Sequence, residues 1–325
     1  CGRNTAPAIT LSAIKSLEKN YDPILIVLPS DHIIKDEEKF LEVIKSSLDY
    51  VRKDKLVTLG IVPNKPETGF GYIEAENTLS NEKLIGENIK RFIEKPNLET
   101  AKKLVLDKRF SWNSGMFMFK ASVFIEEIKK NSPDIYKICK QSLDKNLLDL
   151  EFQRVDKKIF SLCRSSSIDK AIMEKTKNGI VLPLNVGWSD IGSWESMWEV
   201  SNKNDSGNVE IGKVVTRQVK NSYIRGQEKL IVGIGIEDLI IVESNDALLV
   251  VNKKCSQDVK NIVEYLETNG DPAATIHKTI FRPWGNYTSI AEGSNWQVKK
   301  IIVKSGESLS LQLHTKRTEH WIIVS

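Results

Sequence analysis

ILIVLPSDHII, residues 24–34, is the stretch that sets the fold class. Ile24 to Leu28 is a continuous apolar run closed by Pro29, which reads as a short strand buried on both faces. Asp31 and His32 follow at once. In open α/β sheets ligands sit beyond the C-terminal ends of the strands. An aspartate there suits Mg²⁺, which takes one or two carboxylates and fills its other positions with water or substrate oxygens. A turn acid capping the next helix is the alternative, and His32 reads as structural rather than as a ligand.

The pattern repeats outward from this stretch. Upstream, Asn4 or Thr5 caps a helix that tolerates Pro7 in its first turn, with Ile9, Ala13 and Leu17 on one face. Downstream, Phe40 to Val51 has helical spacing and Leu56 to Val62 reads as the next strand. This βαβ rhythm predicts a mostly parallel sheet covered by helices. Further helices are expected over Leu98–Leu106, Ser122–Lys130, Asp134–Leu150 and Ile168–Thr176, with strands over Trp112–Phe119 and Ile180–Leu184. After Trp198 the texture changes: Asn202–Asn208 reads as a linker. Short β-rich runs follow over Gly212–Val219, Leu230–Ile236, Leu239–Val242 and Ala247–Val251, as in a small β-solenoid. A short helix over Val259–Leu266 and a break at Asn269–Pro272 lead into a last β-rich segment.

The 325 residues exceed one typical domain. They are 40% hydrophobic and 28% charged with a net charge of +4, which places the chain among ordinary globular proteins. Lys and Glu are mixed rather than blocked, so nothing calls for nucleic acid. The longest apolar run, Leu230–Ile236, is far short of the roughly 20 residues of a membrane helix. Cys1, Cys139, Cys163 and Cys255 form no C-x-x-C pair, which suits reduced thiols in a cytoplasmic protein. The chain starts at Cys1 rather than Met.

Several segments have the residue types of a ligand site, each with a plainer reading beside it. GRNTAP (2–7) opens a helix whose free N–H groups suit an anion or a base edge, or is simply a capped start. PETGFGYI (66–73) lets backbone approach a ligand at Gly69 and Gly71, or makes a tight turn. In FIEKP (92–96), Glu94 suits sugar hydroxyls and Lys95 a phosphate, or the two form an exposed ion pair. In WNSGMF (112–117), Asn113 presents an amide to a sugar, or turns the chain beside a packed Trp112. GWSDIGSW (187–194) is hard to explain as a solvated loop, and Asp190 would supply a second metal carboxylate opposite Asp31.

Together the stretches GRNTAPAI, VLPSDHII, PETGFGYI, RFIEKP, WNSGMFMF and GWSDIGSW resemble the mannose-1-phosphate guanylyltransferase family. The bacterial form with a type II mannose-6-phosphate isomerase domain is the closest match. FRPWGNY (281–287) and SLSLQLHTKRTEHWIIVS (308–325) look like the opening of that isomerase domain. The resemblance implies a Rossmann-like nucleotidyltransferase sheet over 1–203, a β-helix-like region over 204–268 and the start of a cupin over 269–325. It implies GTP and mannose 1-phosphate as substrates, GDP-mannose as product for polysaccharide biosynthesis, Mg²⁺ as cofactor and a possible homo-oligomer. Asp31 and Asp190 would hold the metal. Gly71, Glu94 and Asn113 would contact mannose, Lys95 its phosphate, and Arg3, Asn4 and Pro7 the guanine and ribose side.

Gln312, His314 and Glu319 resemble an incomplete cupin site for Zn²⁺ or another divalent metal, with Gln in place of the first His. The family's Gly-rich loop and second cupin motif are not in the sequence. The chain therefore reads as truncated at both ends, and this piece is expected to have little transferase activity. The rival readings are the isomerase as dominant activity, a transferase for another sugar phosphate or base, and a non-catalytic sugar-nucleotide sensor.

Overall fold

In a computed structural model the chain forms two compact units, Cys1–Ile191 and Gly192–Ser325. The described residues are all but 19–20, 81–82, 145–146, 150–151, 246, 272–277, 310–314, 316 and 325.

The first unit begins with α1 (Thr5–Leu17), β1 (Ile24–Val27), α2 (Glu37–Val51), β2 (Leu56–Ile61), β3 (Tyr72–Ala75) and β4 (Glu87–Ile93). It continues through α3 (Leu98–Leu106), β5 (Phe110–Lys120), α4 (Ala121–Asn131), α5 (Pro133–Leu143), the hairpin β6 (Leu147–Asp149) and β7 (Phe152–Arg154), α6 (Lys157–Phe160) and β8 (Gly179–Leu184). Six strands make one sheet in the order β1-β5-β2-β8-β4-β3, and β3 also pairs with β5. Alternation along β5 feeds two cores. Phe117 and Phe119 join α1, α4 and α5, while Met116 and Met118 join α2 and α3. Helices therefore cover both faces, as the α/β reading requires.

Two expectations are corrected. Strand directions are mixed: β2–β8 is a parallel pair, but β5 runs antiparallel to β1, β2 and β3, and β4 antiparallel to β8 and β3. β1 is also not buried on both faces. Among the described residues it pairs with β5 alone, and Ile26 is 48% exposed. The strands buried throughout are β2, β3 and β8. Pro183 is tolerated in β8 because β4 pairs only with Ile180 and Val181, so no ladder bond is demanded of the proline on that side.

α5 stops at Leu143, short of the expected Leu150, because Leu147–Asp149 pairs with Phe152–Arg154. The helix expected over 168–176 is a single π turn, Asp169–Met173.

The second unit starts with α7 (Trp194–Val200). Strands β9 (Val209–Ile211), β10 (Val214–Arg217), β11 (Tyr223–Arg225), β12 (Ile231–Ile234) and β13 (Leu239–Glu243) follow. β9, β11 and β13 stack in parallel, as do β10 and β12, which is the rung pattern of a short β-helix. Val209, Tyr223 and Ile240 fill its interior. β14 (Leu248–Asn252) closes the stack antiparallel to β13 and leads to α8 (Val259–Thr268). A meander of β15 (Thr279–Arg282), β16 (Gly285–Gly293) and β17 (Trp296–Val303) follows. Among the described residues no helix is long and apolar enough to cross a membrane.

Candidate active site

β1 and β8 point the same way, and the loops leaving their C-terminal ends meet. The Ile33 N–H donates to the Ser189 carbonyl at 2.8 Å and the Ser189 N–H donates back at 3.0 Å. The N–H groups of Lys35 and Asp36 both donate to the Val186 carbonyl. Gly187 permits this approach: its φ is +64°, and a Cβ there would sit 3.0 Å from the Lys35 Cβ. In this antiparallel register residue 32 lies opposite residue 190.

His32 follows Asp31 in the chain and stands across the register from Asp190. Burial lowers its pKa, while the carboxylates of Asp31 and Asp190 each pull it back up. The Trp188 indole N–H donates to His32 Nδ1 at 3.1 Å, which leaves the imidazole proton on Nε2. The rings meet edge to face at 5.2 Å, and Phe70 extends the aromatic wall from Trp188 to Trp112. The histidine is thus both packed and part of the site, since it lines an open cavity of about 250 Å³. Thr5 and Ile9 of α1, Pro29, Phe70, Asn113, Gly115, Asp169, Trp188 and Asp190 line the same cavity.

Gly71, Glu94 and Asn113 lie together. The Asn113 N–H donates to the Gly71 carbonyl at 2.8 Å. A Cβ on Gly71 would stand 3.1 Å from Glu94 Oε2 and 3.8 Å from the Asn113 Cβ. Lys95 pairs loosely with Glu94 at 3.8 Å, both side chains being largely exposed. Its φ of +41° is unusual for a lysine, and Ile191 beside Asp190 has φ +48°. Backbone held in this sparse region concentrates at functional sites.

At the start of α1 the side chains turn elsewhere. Asn4 Oδ1 accepts from the Thr5 N–H, the Arg3 guanidinium donates to the Ser161 carbonyl, and Pro7 is buried. It is Thr5 and Ile9 that reach the cavity. Gln312 and His314 lie outside the described residues, and Glu319 accepts from Arg317.

Asp169 was not singled out by its sequence. In SSSIDKAIMEK (165–175) an acid at the head of an apolar-periodic run reads as a helix cap. In the fold it is half-buried, accepts from Asn113 Nδ2 at 2.8 Å, and lines the cavity. Burial is the main cause that raises its pKa, and the Glu94 charge adds to it.

Residues 1–207 match the nucleotidyl transferase family, residues 212–266 the MannoseP isomerase/GMP-like beta-helix domain, and residues 269–325 the mannose-6-phosphate isomerase C-terminal family. A mannose-1-phosphate guanylyltransferase of Salmonella montevideo is 48% identical over 327 residues, covering 100% of this chain and 69% of that protein. The chain belongs to the mannose-1-phosphate guanylyltransferase family. A Thermus thermophilus structure described as a mannose-1-phosphate geranyltransferase superposes with a TM-score of 0.71 at 26% identity, covering 82% of this chain and 76% of that one. A mannose-6-phosphate isomerase from Helicobacter pylori gives 0.51 at 39% identity, over 58% and 71%.

Guanylyltransferase membership gives the loop geometry a chemical context. Among the described residues no cluster of three or more His, Cys, Asp and Glu side chains could hold a metal. One or two carboxylates are all the protein donors Mg²⁺ takes where phosphate oxygens and water complete an octahedral shell, so the residue types of Asp31 and Asp190 suit it.

Proposed function

We propose that this chain carries the guanylyl-transfer site for GTP and α-D-mannose 1-phosphate, forming GDP-mannose and diphosphate. What supports the reading is the backbone pairing of Ile33 with Ser189, which brings the loop carrying Asp31 beside the loop carrying Asp190 at the end of β1 and β8.

A phosphate oxygen of mannose 1-phosphate forms the new bond to the α-phosphorus of GTP. The bond from that phosphorus to the β-phosphate bridging oxygen breaks, and diphosphate leaves with the electron pair. The nucleophile is already an anion, so no side chain has to act as a base, and catalysis rests on positioning and charge. Asp31 and Asp190 would hold Mg²⁺, which when bound would neutralise charge on the phosphates. Glu94, Asn113 and the Gly71 backbone hold the mannose hydroxyls, and Lys95 faces its phosphate. Arg3, Asn4 and Pro7 belong to the guanine and ribose side, through the turn they build around Thr5 rather than by reaching the cavity themselves. A cytoplasmic location belongs to the same proposal, because charged phosphate substrates do not cross an apolar membrane unaided.

The test is diphosphate release by the full-length protein with each nucleoside triphosphate and with mannose or glucose 1-phosphate. GTP with mannose 1-phosphate should give the highest kcat/KM. A preference for another pair would replace this reading with a transferase of different specificity.

A second activity is supported by the isomerase match over residues 269–325. Gln312, His314 and Glu319 are the residues we assign to its Zn²⁺ or other divalent metal. Conversion of mannose 6-phosphate to fructose 6-phosphate should disappear on chelation and in His314→Ala, while guanylyl transfer persists in that variant when Mg²⁺ is supplied.

A further inference from the structure

Asp169 lines the cavity, and the transfer step above gives it no role. Its turn is fastened on one side to the start of α1. The Ile168 N–H donates to Thr5 Oγ1 at 2.9 Å, and the Ala6 N–H to the Ser166 carbonyl at 3.0 Å. On the other side it meets β5 through the Asn113 amide. The turn is π-helical, a conformation that recurs at functional sites.

The donor and acceptor count around it is lopsided. Asn113 gives one N–H to Asp169, and its Oδ1 accepts from the Gly115 N–H at 3.2 Å. That leaves the amide one N–H and one lone pair. Asp169 and Glu94 add carboxylate lone pairs, and the two charges lie close enough that Glu94 disfavours ionisation of Asp169. Ser167 and the residue's own backbone N–H also donate to Asp169, yet two carboxylates side by side keep lone pairs to spare, and a ligand that brings several O–H donors would engage them. Vicinal hydroxyls of a sugar are such a ligand.

We propose that Asp169 is a further sugar-binding residue, whose carboxylate accepts a hydrogen bond from a hydroxyl of the hexose 1-phosphate and so helps to choose the hexose. The inference rests on the transferase reading above and deepens it. Asp169 touches the substrate, and its bond to Asn113 aligns the neighbouring amide for the same sugar.

The experiment is a cycle between substrate and enzyme in the full-length protein. kcat/KM is measured for mannose 1-phosphate and its 2-, 3-, 4- and 6-deoxy analogues in wild type, Asp169→Asn and Asp169→Ala, at saturating GTP. One deoxy position should cost wild type at least about tenfold and each variant less than about threefold, with KM for GTP within twofold in all three proteins. Asparagine keeps the shape and an acceptor for Asn113, so that variant serves if the alanine protein does not fold. The inference is overturned if every deoxy analogue is penalised by the same factor in the variants as in wild type, since Asp169 would then only prop up Asn113. Wild type that uses no hexose 1-phosphate would overturn the transferase reading and this inference with it. The first result with an active wild type removes this inference alone.

Discussion

Replacing Asp190 with asparagine removes one negative charge and almost no volume. The loop carrying it is pinned by backbone bonds between Ile33 and Ser189 and from Lys35 to Val186, none of which involves the side chain. Asparagine is nearly isosteric and keeps an acceptor oxygen, so the fold should hold, with stability within about 1 kcal/mol of wild type and Tm within about 4 °C. The chemical cost is larger. Charge stabilisation by a bound metal ion is worth several kcal/mol, and it weakens when one of its carboxylate ligands becomes neutral. The asparagine oxygen remains a weak ligand and recovers part of this. A net loss of about 3–4 kcal/mol, at about 1.4 kcal/mol per tenfold, corresponds to a fall of roughly 10²–10³ in kcat/KM. The assay is coupled diphosphate release with GTP, mannose 1-phosphate and excess Mg²⁺, paired with a melting curve. Turnover within threefold of wild type, on a protein with normal Tm, would refute the reasoning and remove Asp190 from the metal site.

Gly71→Ala should fold normally, because its backbone does not need glycine, but its methyl group would press on Glu94 Oε2. KM for mannose 1-phosphate is expected to rise about tenfold with KM for GTP unchanged, as steady-state kinetics will show. Asn113→Ala takes the amide donor from the half-buried Asp169 carboxylate, and should cost about 1–2 kcal/mol, seen as a Tm lower by roughly 2–8 °C. Asp169 has a folded pKa raised by burial, so its contribution to stability is fully present below the unfolded value of about 3.9 and is lost as pH rises through the folded value. Asp169→Asn should therefore melt above the ligand-free wild type at pH 7, with the gap closing as pH falls towards 4. A gap that widened on acidification would contradict that sign.

Local chemistry wrote part of this molecule directly into the sequence. The α1 cap at Asn4, the amphipathic α2 and the β-rich texture after Trp198 depend on neighbours within a few residues, and they stand where propensity and period place them. What periodicity cannot carry is strand direction and order. Ile24–Val27 is apolar enough for a central strand yet lies at an edge, because β5 runs back between it and β2. Likewise Leu147 and Leu148 continue the apolar spacing of α5 but leave it to pair with residues 153–154.

The site divides in the same way. Asp31 and Asp190 follow strands and stand beside Pro, Gly and Trp, so their residue types announce a special loop. Asp169 has no such marker. Its role depends on a contact with Asn113, 56 positions away, that only the folded sheet creates. The turn at residues 2–7 shows how side-chain direction escapes a sequence reading. Arg3 and Asn4 look ligand-directed, yet their side chains are spent on Ser161 and on the helix cap, and Thr5 faces the cavity.

The sharpest single measurement is anomalous diffraction from crystals of the full-length protein grown with Mn²⁺ in place of Mg²⁺ and a non-hydrolysable GTP analogue. The account predicts a Mn²⁺ peak bonded by carboxylate oxygens of both Asp31 and Asp190. A nucleotide-bound crystal with Mn²⁺ held elsewhere, and those two side chains turned away from it, would contradict the account at its base.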